Sequence, residues 1–260
     1  MKNKLWSMFA GLFVLVISTL YAVPSRAQMT EVKEKPPLYS YVANWDIPRA
    51  NWPDMDKAAA ANNAMLEKAL ADGTIVGYGD DMNLVHQPSL ETHDDWWSAT
   101  SLAGLLKVLD QLRSSDSNTS GVLASATKHW DNIYVSRYYN WKSGSYKGGY
   151  GYIASYKLKA DAPDNAVDML CKSLVAPLLE KMLADGTILE YEVDVQAIHN
   201  EAPGTFAIVF VAPKPEGVDT VLAAIRGSQR DHPLHGQAFG SMVDFSAHRD
   251  ELMKGNGTYK

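Results

Sequence analysis

The sequence predicts an α+β chain made of two copies of one β-α-β-β-α-β unit. A long internal repeat, two-residue alternation in some segments and helical stripes in others carry that reading. Leu66 to Asp81 reads LEKALADGTIVGYGDD and Leu179 to Asp194 reads LEKMLADGTILEYEVD, with eleven of sixteen positions identical at an offset of 113 residues. The same offset pairs His86 with His199, Thr92 with Thr205 and Val108 with Val221. A period this long makes each copy a domain rather than a solenoid turn.

Each copy opens on an aromatic, β-favouring segment, Tyr39 to Trp45 and Tyr150 to Lys157. A helix follows. In the second copy Val167, Leu170, Leu174, Leu178 and Met182 form one apolar stripe, which Pro177 should kink. Both helices run into Ala-Asp-Gly, where Gly73 and Gly186 suit a left-handed C-terminal cap. Thr187 to Asp194 then alternates, with Leu189, Tyr191 and Val193 on the buried face and Glu190, Glu192 and Asp194 on the other. Thr205 to Ala212 is a continuous apolar strand, and Val218, Val221, Leu222 and Ile225 mark the second helix. Gly121 to Ala126 and Gly240 to Asp244 are the expected fourth strands. The shared pattern of His129, Asp131 and Ile133 with His248, Asp250 and Leu252 reads as a short closing helix.

This order is that of the split βαβ, or ferredoxin-like, sandwich, with both helices on one face of an antiparallel sheet. The bare face needs a cover, and the second copy supplies one. The chain therefore resembles the dimeric α/β-barrel superfamily, which implies two sheets packed together, here as an intramolecular pseudo-dimer. Members of that superfamily bind haem, oxidise small aromatics or sense metabolites, so the resemblance implies a fold and leaves the function open. The expected organisation is a leader over 1–27, an arm over 28–38 and a first repeat over 39–140. A Gly/Ser/Lys-rich linker over 141–149 and a second repeat over 150–260 complete it.

The leader reads as a secretory signal: Lys2 and Lys4, an apolar run from Leu5 to Ala22, and the small residues Ser25 and Ala27 before Gln28. The alternative is an uncleaved anchor, the one membrane contact expected. Cleavage removes Lys2, Lys4 and Arg26 and no acid, leaving 21 basic residues against 30 acidic ones, a charge of −9. An acidic chain lacks the basic footprint of a nucleic-acid binder. The lone Cys171 excludes an intramolecular disulfide and any Cys-rich zinc site.

Phosphate loops, nucleophile elbows, H-E-x-x-H and C-x-x-C are absent. The candidate site lies where the copies disagree: Phe206, Ile208 and Phe210 of the second copy align with His93, Asp95 and Trp97 of the first. Polar groups on a buried face need partners, so His93, Asp95 and Trp97, with Tyr78 and His86, are the expected ligand-binding residues. The preferred expectation is an exported protein that holds a small ligand there, an aromatic one among the candidates. The alternatives are a cofactor-poor oxygenase or isomerase, with His93 or His86 as general base oriented by Asp95, and a structural interaction protein. His86, His93 and Asp95 are the residue types of a two-His, one-carboxylate site. Nothing in the sequence brings them together, so no metal and no cofactor is assigned.

Overall fold

A computed structural model describes residues 31–87, 90–115 and 121–260, so the leader lies outside the described residues. Eight antiparallel strands close into one barrel in the order β1-β3-β2-β8-β5-β7-β6-β4, with β4 returning to β1. The strands are β1 (Leu38–Asp46), β2 (Gly77–Asn83), β3 (His93–Ala99), β4 (Lys128–Trp141), β5 (Gly144–Leu158), β6 (Glu190–Gln196), β7 (Thr205–Ala212) and β8 (Val243–Tyr259). Helices α1 (Met55–Ala71) and α2 (Leu102–Ser114) cover the sheet made by β1 to β4. Helices α3 (Ala166–Leu170), α4 (Ala176–Asp185), α5 (Pro215–Asp231) and α6 (Pro233–Met242) accompany β5 to β8.

Two seams join the halves. Strand β2 pairs with β8, Gly77 opposite Tyr259, and β4 pairs with β6, Tyr134 opposite Gln196. Closure satisfies every strand edge, which an open four-stranded sheet cannot do. The apolar core lies outside the barrel, between strands and helices. Tyr41, Trp97, Leu105, Val108 and Leu112 build it in the first half; Tyr191, Phe206, Phe210, Leu179 and Val221 build it in the second. Trp97 stacks on Tyr41 at 4.3 Å between centroids, and its Nε1 donates to the Leu105 carbonyl at 3.2 Å.

The structure departs from the sequence reading at several points. Residues 141–149 are no linker: β4 ends at Trp141 and β5 begins at Gly144, so the two copies meet in a hairpin. The glycines that suggest flexibility instead serve the strand, Gly148 at φ 63° lying where the register with β8 shifts. The fourth strands run later than 121–126 and 240–244, and they contain the His-x-Asp pairs. Residues two apart share a strand face, so His129 reaches Asp131 at 3.3 Å and His248 reaches Asp250 at 3.2 Å without any helix. The extra helix α6 occupies part of the segment expected as strand.

Pro177 does disturb its helix. It follows a π-helical stretch, Cys171–Val175, that widens the turn where the proline has no N–H to give. The arm is not free in solvent: Val32 N–H donates to the Lys172 carbonyl and Lys35 N–H to the Arg137 carbonyl. Gly73 and Gly186 adopt the left-handed caps expected of them, at φ 80° and 83°.

Candidate functional site

The expected polar, uncovered face of β6 is the main surprise. Glu190, Glu192 and Asp194 are only 5 to 7 % exposed, because that face is the inside of the closed barrel. They line a cavity of about 310 Å³ with Asp81 of β2, Asp94 of β3 and Glu251 of β8. That volume sits at the low end of ligand pockets, roughly 300–1,000 Å³, and an eight-stranded barrel is wide enough to hold one small ligand. Glu91 and Glu201 line the same cavity toward the β2–β3 and β6–β7 loops. Among the described residues, no Lys, Arg or His lines it.

Backbone spacing makes room for these groups. A Cβ on Gly255 of β8 would lie 2.0 Å from Asp81 Oδ1 and 2.1 Å from the Asp80 carbonyl oxygen, so only glycine lets the Asp81 carboxylate lie there. A Cβ on Gly79 would strike the Trp96 ring at 2.5 Å. Trp96 thus lies flat inside the barrel and donates from Nε1 to Asp81 Oδ2 at 3.0 Å.

Several carboxylates have partners. Ser40 Oγ donates to Glu192 Oε2 at 3.2 Å and lies 2.8 Å from Ser98 Oγ; Ser136 Oγ donates to Asp194. Near the β6–β7 loop, Asn44, Asn132 and Asn200 form an amide chain that reaches Glu201. The opposite end, under the β4–β5 hairpin, differs. There the Tyr146 and Tyr259 hydroxyls face Glu190, and Glu190 Oε2 and both hydroxyls are buried with no other partner. Tyr259 is 4 % exposed and its ring packs on Trp96 at 5.4 Å.

Burial dominates the electrostatics. It pushes Glu190 up to about 7, and repulsion from Asp194 adds to this while Tyr259 and Tyr146 oppose it. Asp194 rises to about 6 and Glu251 to about 8, again chiefly through burial. Asp81, Asp94 and Glu192 lie well above the ordinary carboxylate range for the same reason, with neighbouring acids adding to it. The cavity therefore stores protons at neutral pH, or calls for an opposite charge.

The residues singled out from the sequence lie on the outer, helix-facing side of the first sheet. Tyr78 and Trp97 belong to the apolar core, 6 % and 2 % exposed. His86 and His93 do meet, edge-on to the Trp52 ring at 4.8 and 5.3 Å. His93 is buried, its Nδ1 lies 3.0 Å from Thr92 Oγ1, and burial followed by repulsion from His86 lowers it to about 4. Asp95 stands apart from them. Burial and Asp80 raise it to about 7, and its stabilising neighbour is Trp45. None of His86, His93 and Asp95 lines the barrel cavity. Among the described residues, no three His, Cys, Asp or Glu side chains are placed to hold a metal ion.

The sequence carries a signal for the barrel cavity. If the second copy covers the bare face of each sheet, then Glu190, Glu192 and Asp194, on the face opposite Leu189 and Tyr191, must point into that cover. Acids on such a face are buried acids.

Fold and cavity together define an α+β protein with a closed eight-stranded antiparallel barrel and an acid-lined interior. No family model matches the chain, and no curated protein matches it. Solved structures do. The "putative monooxygenase" of Lactobacillus acidophilus NCFM superposes with a TM-score of 0.60 at 9 % identity, covering 85 % of this chain and 94 % of that one. The "putative monooxygenase" of Fusobacterium nucleatum subsp. nucleatum gives 0.55 at 7 % identity over 85 % and 93 %. An anthrone oxidase-like protein gives 0.50 at 7 % over 85 % and 92 %. These neighbours share the dimeric α/β-barrel fold, and at such identities the likeness is one of fold alone.

Proposed function

We propose that this is a small-molecule-binding protein that holds its ligand inside the barrel, between two duplicated ferredoxin-like units acting as an intramolecular pseudo-dimer. One observation carries the reading: a cavity of ligand size in which Glu190 Oε2 and the two tyrosine hydroxyls facing it are buried with no other partner. Buried polar atoms left unpaired cost about 1–3 kcal/mol each, and a ligand that pairs them recovers this. The neighbours' names point toward oxygenase chemistry. A general base at His93 has weaker support here, because burial leaves it a poor proton acceptor and it lies off the cavity. His93, Asp95 and His86 would then shape the first half around Trp52 without touching the ligand.

Native mass spectrometry of protein recovered from its own cells tests the binding reading. The expected spectrum shows one small molecule per chain, lost on denaturation. A folded Val209→Phe variant, which fills the cavity from β7, should lack it. A wild-type spectrum with no bound mass, or a variant that keeps it, overturns the reading.

Export is part of the same proposal, resting on the basic start, the apolar run and the small residues before Gln28. Edman sequencing of material from outside the cytoplasm should begin at or near Gln28. An intact Met1 on that material would refute cleavage. Among the described residues, no helix is long and apolar enough to cross a membrane.

A further inference from the structure

We infer that the cavity takes a small organic ammonium ion with a flat or apolar body, its cationic end seated against Glu190, Tyr146 and Tyr259. The inference rests on the barrel-interior reading and names the ligand class for that site. Three observations converge on it. The lining is acidic and, among the described residues, carries no cation, so an anionic ligand would find no counter-charge there. Glu190 Oε2 is buried in this cavity with only the Tyr146 and Tyr259 hydroxyls to pair with. An ammonium donates to the carboxylate, and the phenol oxygens are further acceptors within the same lining. Trp96, packed on the Tyr259 ring, adds aromatic faces that attract a cation once water is excluded.

A metal ion fits less well. The carboxylates of Asp81, Glu192 and Asp194 are engaged by Trp96, Ser40 and Ser136 respectively, and among the described residues no triad converges. An ammonium needs only one such end.

Protonation sets the sign of the pH effect. Glu190 is faced by Tyr259 of β8, Tyr146 of β5 and Asp81 of β2, with Glu192 and Asp194 on its own strand. Its cross-strand neighbours on β4 and β7, Trp141 and Val211, do not titrate. Below about pH 7 Glu190 takes up a proton and stops being a counter-charge, so ammonium affinity falls with acidification.

The test is isothermal titration of the chain from Gln28 onward with tryptamine, with its neutral analogue tryptophol, and with calcium chloride alone. Tryptamine is expected to bind at one per chain, several-fold more weakly at pH 6 than at pH 8, with tryptophol at least tenfold weaker. Glu190→Gln should reduce tryptamine affinity at least tenfold; if that variant does not fold, Tyr259→Phe takes its place, with the same direction expected from the loss of one hydroxyl at the seat. Equal binding of tryptamine and tryptophol, retained in Glu190→Gln, overturns the ammonium class and leaves the cavity reading standing. Calcium binding that displaces tryptamine also overturns it, in favour of a metal. If neither organic probe binds, or both bind the folded Val209→Phe variant unchanged, the cavity reading falls as well.

Discussion

At the scale of single residues, the barrel interior depends on the absence of side chains as much as on their presence. Gly255 lets Asp81 approach the β8 backbone, and one obstruction to a Cβ there is the Asp80 carbonyl, a backbone atom that cannot rotate away. Gly255→Ala is therefore expected to destabilise the protein by roughly 1–3 kcal/mol, the usual cost of overpacking. Urea unfolding measures it, and an unchanged midpoint would show that β8 yields at this point. Gly79 has the same relation to the Trp96 ring, though a side chain can shift more easily. Neither requirement is visible in a single sequence, where these glycines resemble the ones that shape turns.

At the scale of elements, the strands split their two faces between different environments. On β3, His93, Asp95 and Trp97 face the helices, while Asp94, Trp96 and Ser98 line the cavity. Replacing His93 and Asp95 by Phe and Ile, the residues at those positions in β7, exchanges buried polar groups for packing. The double variant should raise the melting temperature, by about 2–4 °C for each kcal/mol gained. It should leave ligand binding in the barrel intact. Lost binding with a raised melting temperature would move the site to the outer face. The main helices and the apolar strands were legible because periodicity reports which face meets the core. The barrel seams were not, because pairing of β2 with β8 is set by closure between distant segments. The same gap hid the site. Glu190, Glu192 and Asp194 look like a solvated face until the sheet is known to curl around them, and the hairpin at Trp141 to Gly144 looks like a linker until β5 is seen to start inside it.

At the scale of the whole molecule, the fold places its acids inside and its apolar core outside the barrel, and pH couples to that arrangement. A carboxyl whose pKa is raised on folding binds protons more tightly in the folded state. Its stabilising effect is complete below the ordinary range near 4 and is lost as pH climbs through the folded value. Glu190 at about 7 and Glu251 at about 8, both raised from 4.5, spread that loss from the ordinary carboxylate range up to about pH 8, its last part falling between pH 6 and 8. His93 acts in the opposite direction, but only below its ordinary value near 6.5. The ligand-free protein should therefore melt at a lower temperature at pH 8 than at pH 6, and an ammonium ligand should narrow the difference. Calorimetry at the two pH values decides it. A higher melting temperature at pH 8 would mean that the interior acids are already compensated.

The two halves of the barrel each contribute four strands but differ in lining, since Gly77 and Gly79 stand where the 113-residue offset puts Glu190 and Glu192. A barrel closed by two identical chains repeats every lining residue about a twofold axis, so a guest on that axis has two equivalent poses. Here one chain supplies both walls, and the equivalence is gone. The interior has a polarity of its own, with a head at Glu190 and a tail toward Glu201. Even a symmetrical guest should be received in one sense. Bound 1,4-diaminobutane carrying a 13C label at both terminal carbons is expected to show two resonances of equal intensity, where a twofold host would show one.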